Sequence, residues 1–385
     1  MRTAVIVDAI RTPSGRGKHG GQLAHVHPVD LLAAVLESLV ERTGIDPATV
    51  DDVIGGCLSQ VGTQSVNITR SAVLAAGFPE SVPATTVDRQ CGSSQQAAAF
   101  AAQGVIAGAY DVAIACGVEL MSSHPIGAAT LGEDNLGPRV RARYPDGLVG
   151  QGISAELIAA RYGLDREQLD AYAERSHRLA GAADFSREIL AIDGSTVDET
   201  IRPGTTLESL AALKPAFYDE ETGRRFPQID WRVTAGNSSP LTDGASAVLI
   251  MSDDRAVRLG LTPRARFHSF AVVGSDPLEM LMGVVPATRR VLQRASLALD
   301  DIDTFEVNEA FASVPLAWQQ ELGADPQRVN PRGGAIALGH ALGSSGTRLL
   351  TTMLGTLEQG GGRLGLQVMC EGGGMANATI VERLG

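Results

Sequence analysis

Four segments of the chain place a nucleophile, a base or an amide beside residues that let a substrate approach the backbone. Cys91 stands in VDRQCGSSQQA, where an extended stretch (TTVD) turns into a helix of small residues. A thiol at that point faces backbone N–H groups and the positive end of the helix dipole, and both favour thiolate. The competing reading is a small buried hydrophobe, since most free cysteines are inert packing. His340 stands in NPRGGAIALGHALGSSG, between glycines and ahead of a second helix. A lone His is more often a satisfied core or surface residue, but this setting matches that of Cys91. Two such helix N-termini pointing into one cleft would bring a base to a thiol. Cys370 ends an apolar run and precedes EGGGMAN. Three bare glycines suit an oxyanion site, whereas a turn needing positive φ would be satisfied by one. Asn308, in VNEAFAS, can orient a water or cap the following helix.

The elements that must position these residues read as alternating strands and helices. Residues 3–7, 53–56 and 111–116 are apolar strand patterns, and 28–43 is a helix with Leu31, Leu32, Val35 and Leu39 on one stripe. Residues 65–76 form a further helix, and the helix after Cys91 stops at Gly108. The last third repeats the order: helix 286–294, strand 305–307, helix 310–322, a glycine-rich turn, the helix TRLLTTMLGTLE and strand 365–370. CGSSQQAAAFAAQGVIAGAYDVAIAC echoes LGSSGTRLLTTMLGTLEQGGGRLGLQVMC, and PVDLLAAVL echoes PATRRVLQR. The pattern predicts two similar halves. From about 119 to 241 the alternation is lost and charge, Pro and Gly increase, with helices at 154–162 and 167–178. That stretch reads as an insertion over one face, of the kind that builds substrate sites.

Bulk properties narrow the function. A length of 385 residues allows two or three domains, and a formal charge of −12 gives no support to nucleic-acid or membrane-surface binding. The four cysteines, Cys57, Cys91, Cys116 and Cys370, are far apart with no CxxC pair, which argues against a disulfide framework or a metal site. No apolar stretch reaches the roughly 20 residues of a membrane span, and the N-terminus shows no leader pattern. The expectation is a reduced, cytoplasmic protein.

Taken together, VDRQCGSSQQA, NEAFA at 308–312, GGAIALGHALGSSG at 333–346 and CEGGGMA at 370–376 resemble the signatures of the thiolase family, in family order and across essentially the whole chain. The fold this implies is α/β: duplicated βαβαβαββ halves in αβαβα layers with an inserted loop domain. The expected domains are 1–118 plus 242–263, the insert 119–241, and 264–385. The implied activity is acyl transfer on coenzyme A thioesters, by thiolytic cleavage of a 3-ketoacyl-CoA or the reverse Claisen condensation. Cys91 would carry the acyl group, His340 take its proton, and Cys370 protonate the departing enolate. His340 with a water on Asn308 would form one oxyanion pocket, and the N–H groups of Cys91 and Gly372 the other. By the same resemblance Arg202, Ser209 and Ser239 would contact CoA. No cofactor or metal is expected, CoA being a substrate, and the partners are acyl-CoA and further copies of the chain in a homodimer or homotetramer.

Three positions depart from the family pattern: Ala341 replaces the usual Pro after His340, Glu371 stands beside Cys370, and Ala376 replaces a Gly. Glu371 would either raise the Cys370 pKa or point to solvent. In the insert, Gly150-Gln151-Gly152 stands where short-chain members carry His-Met-Gly, so Gln151 marks an altered acyl pocket. CEGGG, VDRQCGSSQQA and this Gln are most similar to thiolases of bacterial steroid-ring and related β-oxidation. The rival readings are a decarboxylating ketoacyl synthase, which pairs its Cys with two His where this chain has Cys370, and a non-catalytic CoA-thioester binding protein.

Overall fold

The computed structural model describes residues 2–385. The chain begins with β1 (Ala4–Arg11) and the two-residue β2 (Gly15–Arg16). Helix α1 (Pro28–Thr43) follows, with Pro in its first turn and Gly44 in the left-handed region closing it onto Val40. Its stripe of Leu31, Leu32, Val35 and Leu39 is buried, as the sequence periodicity requires. Next come β3 (Asp52–Gly56), α2 (Ile68–Ala75), β4 (Ala84–Val87), α3 (Ser93–Ala107) and β5 (Val112–Leu120). Between β5 and the next strand lie α4 (Gly137–Arg143), α5 (Gln151–Arg161), α6 (Arg166–Ala182), α7 (Leu207–Ala211) and α8 (Glu220–Arg225), with isolated bridges such as Ile192–Ser195 and Pro215–Thr234. The strand β6 (Thr242–Ser252), the short α9 (Asp253–Arg258) and β7 (Ala265–Gly274) return to the sheet. The order then repeats as α10 (Val284–Ala295), β8 (Thr304–Val307), α11 (Ser313–Leu322), α12 (Ala335–Leu338), α13 (Ser345–Gly360), β9 (Leu364–Glu371) and β10 (Met375–Arg383).

The strand order is a palindrome. It runs β4-β3-β5-β6-β1, then β7-β10-β9-β8, with β2 attached to β6. Each half has the same pairing: β3–β5 and β8–β9 parallel, β5–β6 and β9–β10 antiparallel. The counterpart of β4 in the second half has shrunk to a single parallel bridge between Phe305 and Val329. The halves join where Val5 and Ile6 pair with Arg266 and Ala265.

Three apolar clusters show the layers. Residues of α1 and α2 cover the outer face of the first half, and those of α10 and α11, with α5 and α6 of the insert, cover that of the second. Between the half-sheets lie α3 and α13, where Ala97, Ala98, Ala101 and Ala102 face Leu350, Met353 and Leu354. Small side chains on α3 are what let two helices share that middle layer. The result is helix–sheet–helix–sheet–helix, as the family resemblance implies.

Several sequence expectations shift at their ends. The helix expected over 310–322 begins only at Ser313, because the preceding residues pair with the insert: Ser239 N–H donates to Ala310 O, and Ala312 N–H donates to Asn237 O. The helix expected over 65–76 begins at Ile68, capped by the left-handed Asn67. The strand expected over 111–116 continues to Leu120, two residues past the boundary expected at 118.

Candidate active site

Cys91 sits two residues before α3, in the turn that leaves β4, and Gln90 beside it has φ 51°. The sequence echo aligns Cys91 with Leu342, two residues after His340. The two do pack together, with Met121, Leu349 and Met369. Leu342, Met121 and His340 also line a cleft of about 400 Å3 roofed by the insert, through Ile126, Gln151, Ile153 and Phe217.

Asn308 ties the remaining groups together. Its Nδ2 lies 3.4 Å from His340 Nε2 and 3.8 Å from Cys370 Sγ. Its Oδ1 is buried without a partner. The helix-cap alternative fails, since α11 starts five residues later with Ala312 at its N-cap. A buried amide oxygen left open beside a base and a thiol is suited to holding a water. His340 is positioned by Thr242, whose Oγ1 accepts from its N–H at 2.9 Å, and by Ser345 Oγ, 2.6 Å from its Nδ1.

Electrostatics differ from the sequence expectation at Cys91. Burial pushes its thiol well above the ordinary value, and charge on Cys370, Glu371 or Glu119 pushes it further. A backbone N–H contact pulls the other way and is the smallest of these influences. Cys370 is likewise pushed up to about 12, chiefly by burial. His340 is pushed down to about 3 by burial and then by the Arg348 cation, so at neutral pH its ring is a free base. The pair therefore rests as thiol and neutral imidazole, and Cys91 needs its proton removed.

The glycine turn after Cys370 also reads differently in space. Gly373 and Gly374 have φ 79° and 78°, so two of the three glycines serve the turn. Gly372 packs against Gln90, the residue before Cys91, where a Cβ would meet Oε1 at 2.8 Å. Glu371 does not point to solvent. Its carboxyl is fully buried, both oxygens lack partners, and burial raises its pKa to about 9. It fills the space where residue 92 would carry a side chain.

Of the expected acyl-pocket and CoA residues, Gln151 and Ser239 line the cleft. Arg202 and Ser209 are outside its lining. The Arg202 N–H donates to His177 Nδ1, and Ser209 forms a capping box with Thr206 at the start of α7. Sequence reasoning missed the supports: Thr242, Ser345 and Glu119. The Glu119 carboxylate accepts from Leu58 N–H, Ser59 N–H, Gln64 Nε2 and Gly343 N–H at 2.9–3.0 Å. It thereby ties the end of β3 to the turn that carries His340. An acid inside the apolar strand DVAIACGVEL was the available signal.

Two family models match: the thiolase N-terminal domain over residues 4–254 and the thiolase C-terminal domain over 261–383. The chain belongs to the thiolase family. Among relatives of this thiolase, a steroid 3-ketoacyl-CoA thiolase of Mycobacterium tuberculosis, FadA6, is 49% identical, with 100% of this chain and 95% of that protein covered. A 3-ketoacyl-CoA thiolase of Erwinia tasmaniensis is 44% identical over the full length of both. The crystal structure of the Bacillus anthracis acetyl-CoA acetyltransferase is similar at TM-score 0.87 and 36% identity, covering 100% of this chain and 99% of that one. No group of three or more His, Cys, Asp or Glu among the described residues could hold a metal ion.

Proposed function

We propose that this thiolase cleaves a 3-ketoacyl-CoA with free CoA, or runs the reverse condensation, on a bulky, ring-bearing acyl group as in steroid or related fatty-acid catabolism. The observation that carries the chemistry is the placement of Asn308 Nδ2 against both His340 Nε2 and Cys370 Sγ, beside the cleft that Cys91 backs. His340 Nε2 takes the Cys91 proton and the thiolate adds to the 3-keto carbon. Collapse of the adduct breaks the C2–C3 bond, leaving a thioester on Cys91 and an enolate of acetyl-CoA or propionyl-CoA. Cys370 gives its proton to C2 of that enolate. A second CoA thiol then gives its proton to the Cys370 thiolate and attacks the acyl carbon, releasing Cys91 as thiolate, which recovers the proton from His340. His340 with a water on Asn308 stabilises one developing oxyanion, and the N–H groups of Cys91 and Gly372 the other.

CoA enters as a substrate and no other cofactor is needed. Ser239 in the cleft, together with Arg202 and Ser209, is assigned to CoA by the family resemblance, and Gln151 in the cleft to the acyl group. Leu210 and Leu213, following Ser209, pack on Gly236 of the loop that carries Ser239. An Arg near the nucleotide phosphates supplies locally the charge that an acidic protein lacks overall. The substrate class is supported by the apolar lining, Met121, Ile126, Ile153, Phe217 and Phe311, and by the steroid enzyme among the relatives. A panel of 3-ketoacyl-CoA thioesters tests it, and clear preference for acetoacetyl-CoA over bulky ones overturns it. A decarboxylating synthase would not perform CoA-dependent cleavage at all.

We place the enzyme in the cytoplasm as a homo-oligomer. All four thiols are unpaired, and no helix among the described residues is long and apolar enough to cross a membrane. The outer edge of β4 is unpaired, and Val66, Leu74 and Phe100 are exposed. An open strand edge with apolar residues exposed nearby suits a second copy.

A further inference from the structure

Ser345 occupies the first position of α13, five residues after His340, and is 1% exposed. Its hydroxyl lies between two groups: His340 Nδ1 at 2.6 Å and Ala341 O at 2.8 Å. A serine hydroxyl has one hydrogen to give, and a carbonyl oxygen can only accept. With the hydrogen given to Ala341 O, which also accepts from the Ser344 N–H, the contact with the ring is made by Nδ1–H. A neutral imidazole has a single N–H, so its other nitrogen, Nε2, is left with a lone pair. The opposite side of the ring agrees, because Nε2 faces the amide nitrogen of Asn308, which can only donate.

We propose that Ser345 is a positioning residue that locks His340 in the Nδ1–H tautomer, making Nε2 the nitrogen that deprotonates Cys91. This rests on the acyl-Cys91 reaction proposed above. With the proton transferred, both ring nitrogens carry hydrogen. Ser345 still accepts from Nδ1–H without moving, and the new Nε2–H becomes a donor in the pocket beside Asn308. The same contact thus serves the base before transfer and the imidazolium after it. Arg348, which donates to Gly339 O at 3.4 Å, holds the backbone on the other side of His340. Ser345 holds the turn through Ala341 O and orients the ring through His340 Nδ1.

The direct test is nitrogen NMR of protein labelled at histidine, with the His340 signals assigned by their loss in His340→Gln. A protonated Nδ1 and an unprotonated Nε2 at neutral pH are expected in the unmodified enzyme. A protonated Nε2 overturns the proposal whatever the activity. In Ser345→Ala the two tautomers should mix. Single-turnover acylation of Cys91 should slow about 10- to 100-fold, with KM within about threefold, and Ser345→Thr should recover most of the rate. Acylation at the unmodified rate in a folded Ser345→Ala protein also overturns it. Failure of the thiolase reading itself would appear differently, as no acyl-enzyme in the unmodified protein.

Discussion

Burial raises the Cys91 thiol and lowers the His340 ring, so in the proposed reaction the nucleophile forms as His340 takes the Cys91 proton. Without substrate, alkylation of Cys91 by iodoacetamide should climb about tenfold per pH unit from about pH 7 to 9, because the raised thiol pKa lies above that range. A plateau below about pH 7.5 would show a stable thiolate and contradict this. Glu371 gives a second pH-dependent expectation. Its folded pKa is raised to about 9, so between the ordinary carboxyl range and that value the folded state holds a proton the unfolded chain releases. Stability contributed by this group is therefore lost as pH rises through that window. Glu371→Gln should stabilise the protein by about 2 kcal/mol near pH 8.5 and by less near pH 5.5, measured by denaturant unfolding; a destabilised variant would mean the carboxylate is charged and paired. Cys91, Asn308, His340 and Cys370 were singled out because His340 and Cys370 interrupt apolar or glycine-rich runs, and because all four stand in segments that together resemble the thiolase signatures. Ser345 was not, because a serine at the start of a helix has no distinguishing pattern, and Thr242 and Glu119 were not, because they act through partners brought near by folding. Thr242 serves His340 across 98 residues and Glu119 serves Gly343 across 224.

The helices and strands earn their precision where backbones touch. A Cβ on Gly343 would meet Cys57 Cα at 2.6 Å, Val118 O at 2.7 Å and Gly56 O at 2.8 Å, all main chain with no room to yield. Gly343→Ala should cost at least about 3 kcal/mol or prevent folding, and a variant with unchanged melting temperature would contradict the close approach of this turn to β3. Ala341 is the opposite case. Its φ of −69° is what a proline would adopt, and among the described residues its N–H donates to no carbonyl. Ala341→Pro should therefore be tolerated and stabilise by about 0.5 kcal/mol through the unfolded state; a loss of activity together with a lower melting temperature would show strain. The helices and the strands beside the site residues were readable from periodicity and turn residues, whereas β6, β7 and β10 were not expected. Element ends were not readable, since the start of α11 is set by pairing of residues 310–312 with a loop some 70 residues earlier, which no local pattern encodes.

In the whole molecule, duplication explains why the site lies where it does. Palindromic strand order brings α3 and α13 into one middle layer, so the turns before them, carrying Cys91 and His340, meet at the junction, and β9 delivers Cys370 from the second half. The two halves were visible as echoes in sequence. The single-bridge remnant at Val329 and the strand after EGGGMAN were not, since neither carries an alternating pattern. Sedimentation at micromolar concentration should give a dimer or larger species, and a monomer would remove the role proposed for the open β4 edge. The most direct measurement of the central chemistry is peptide mass mapping after acid quench of enzyme mixed with a simple acyl-CoA. The expected result is an acyl group on the Cys91 peptide, retained in Cys370→Ala and absent in His340→Ala and Cys91→Ala. An acyl group on Cys370, or one that survives loss of Cys91, would contradict the assignment of nucleophile and proton donor.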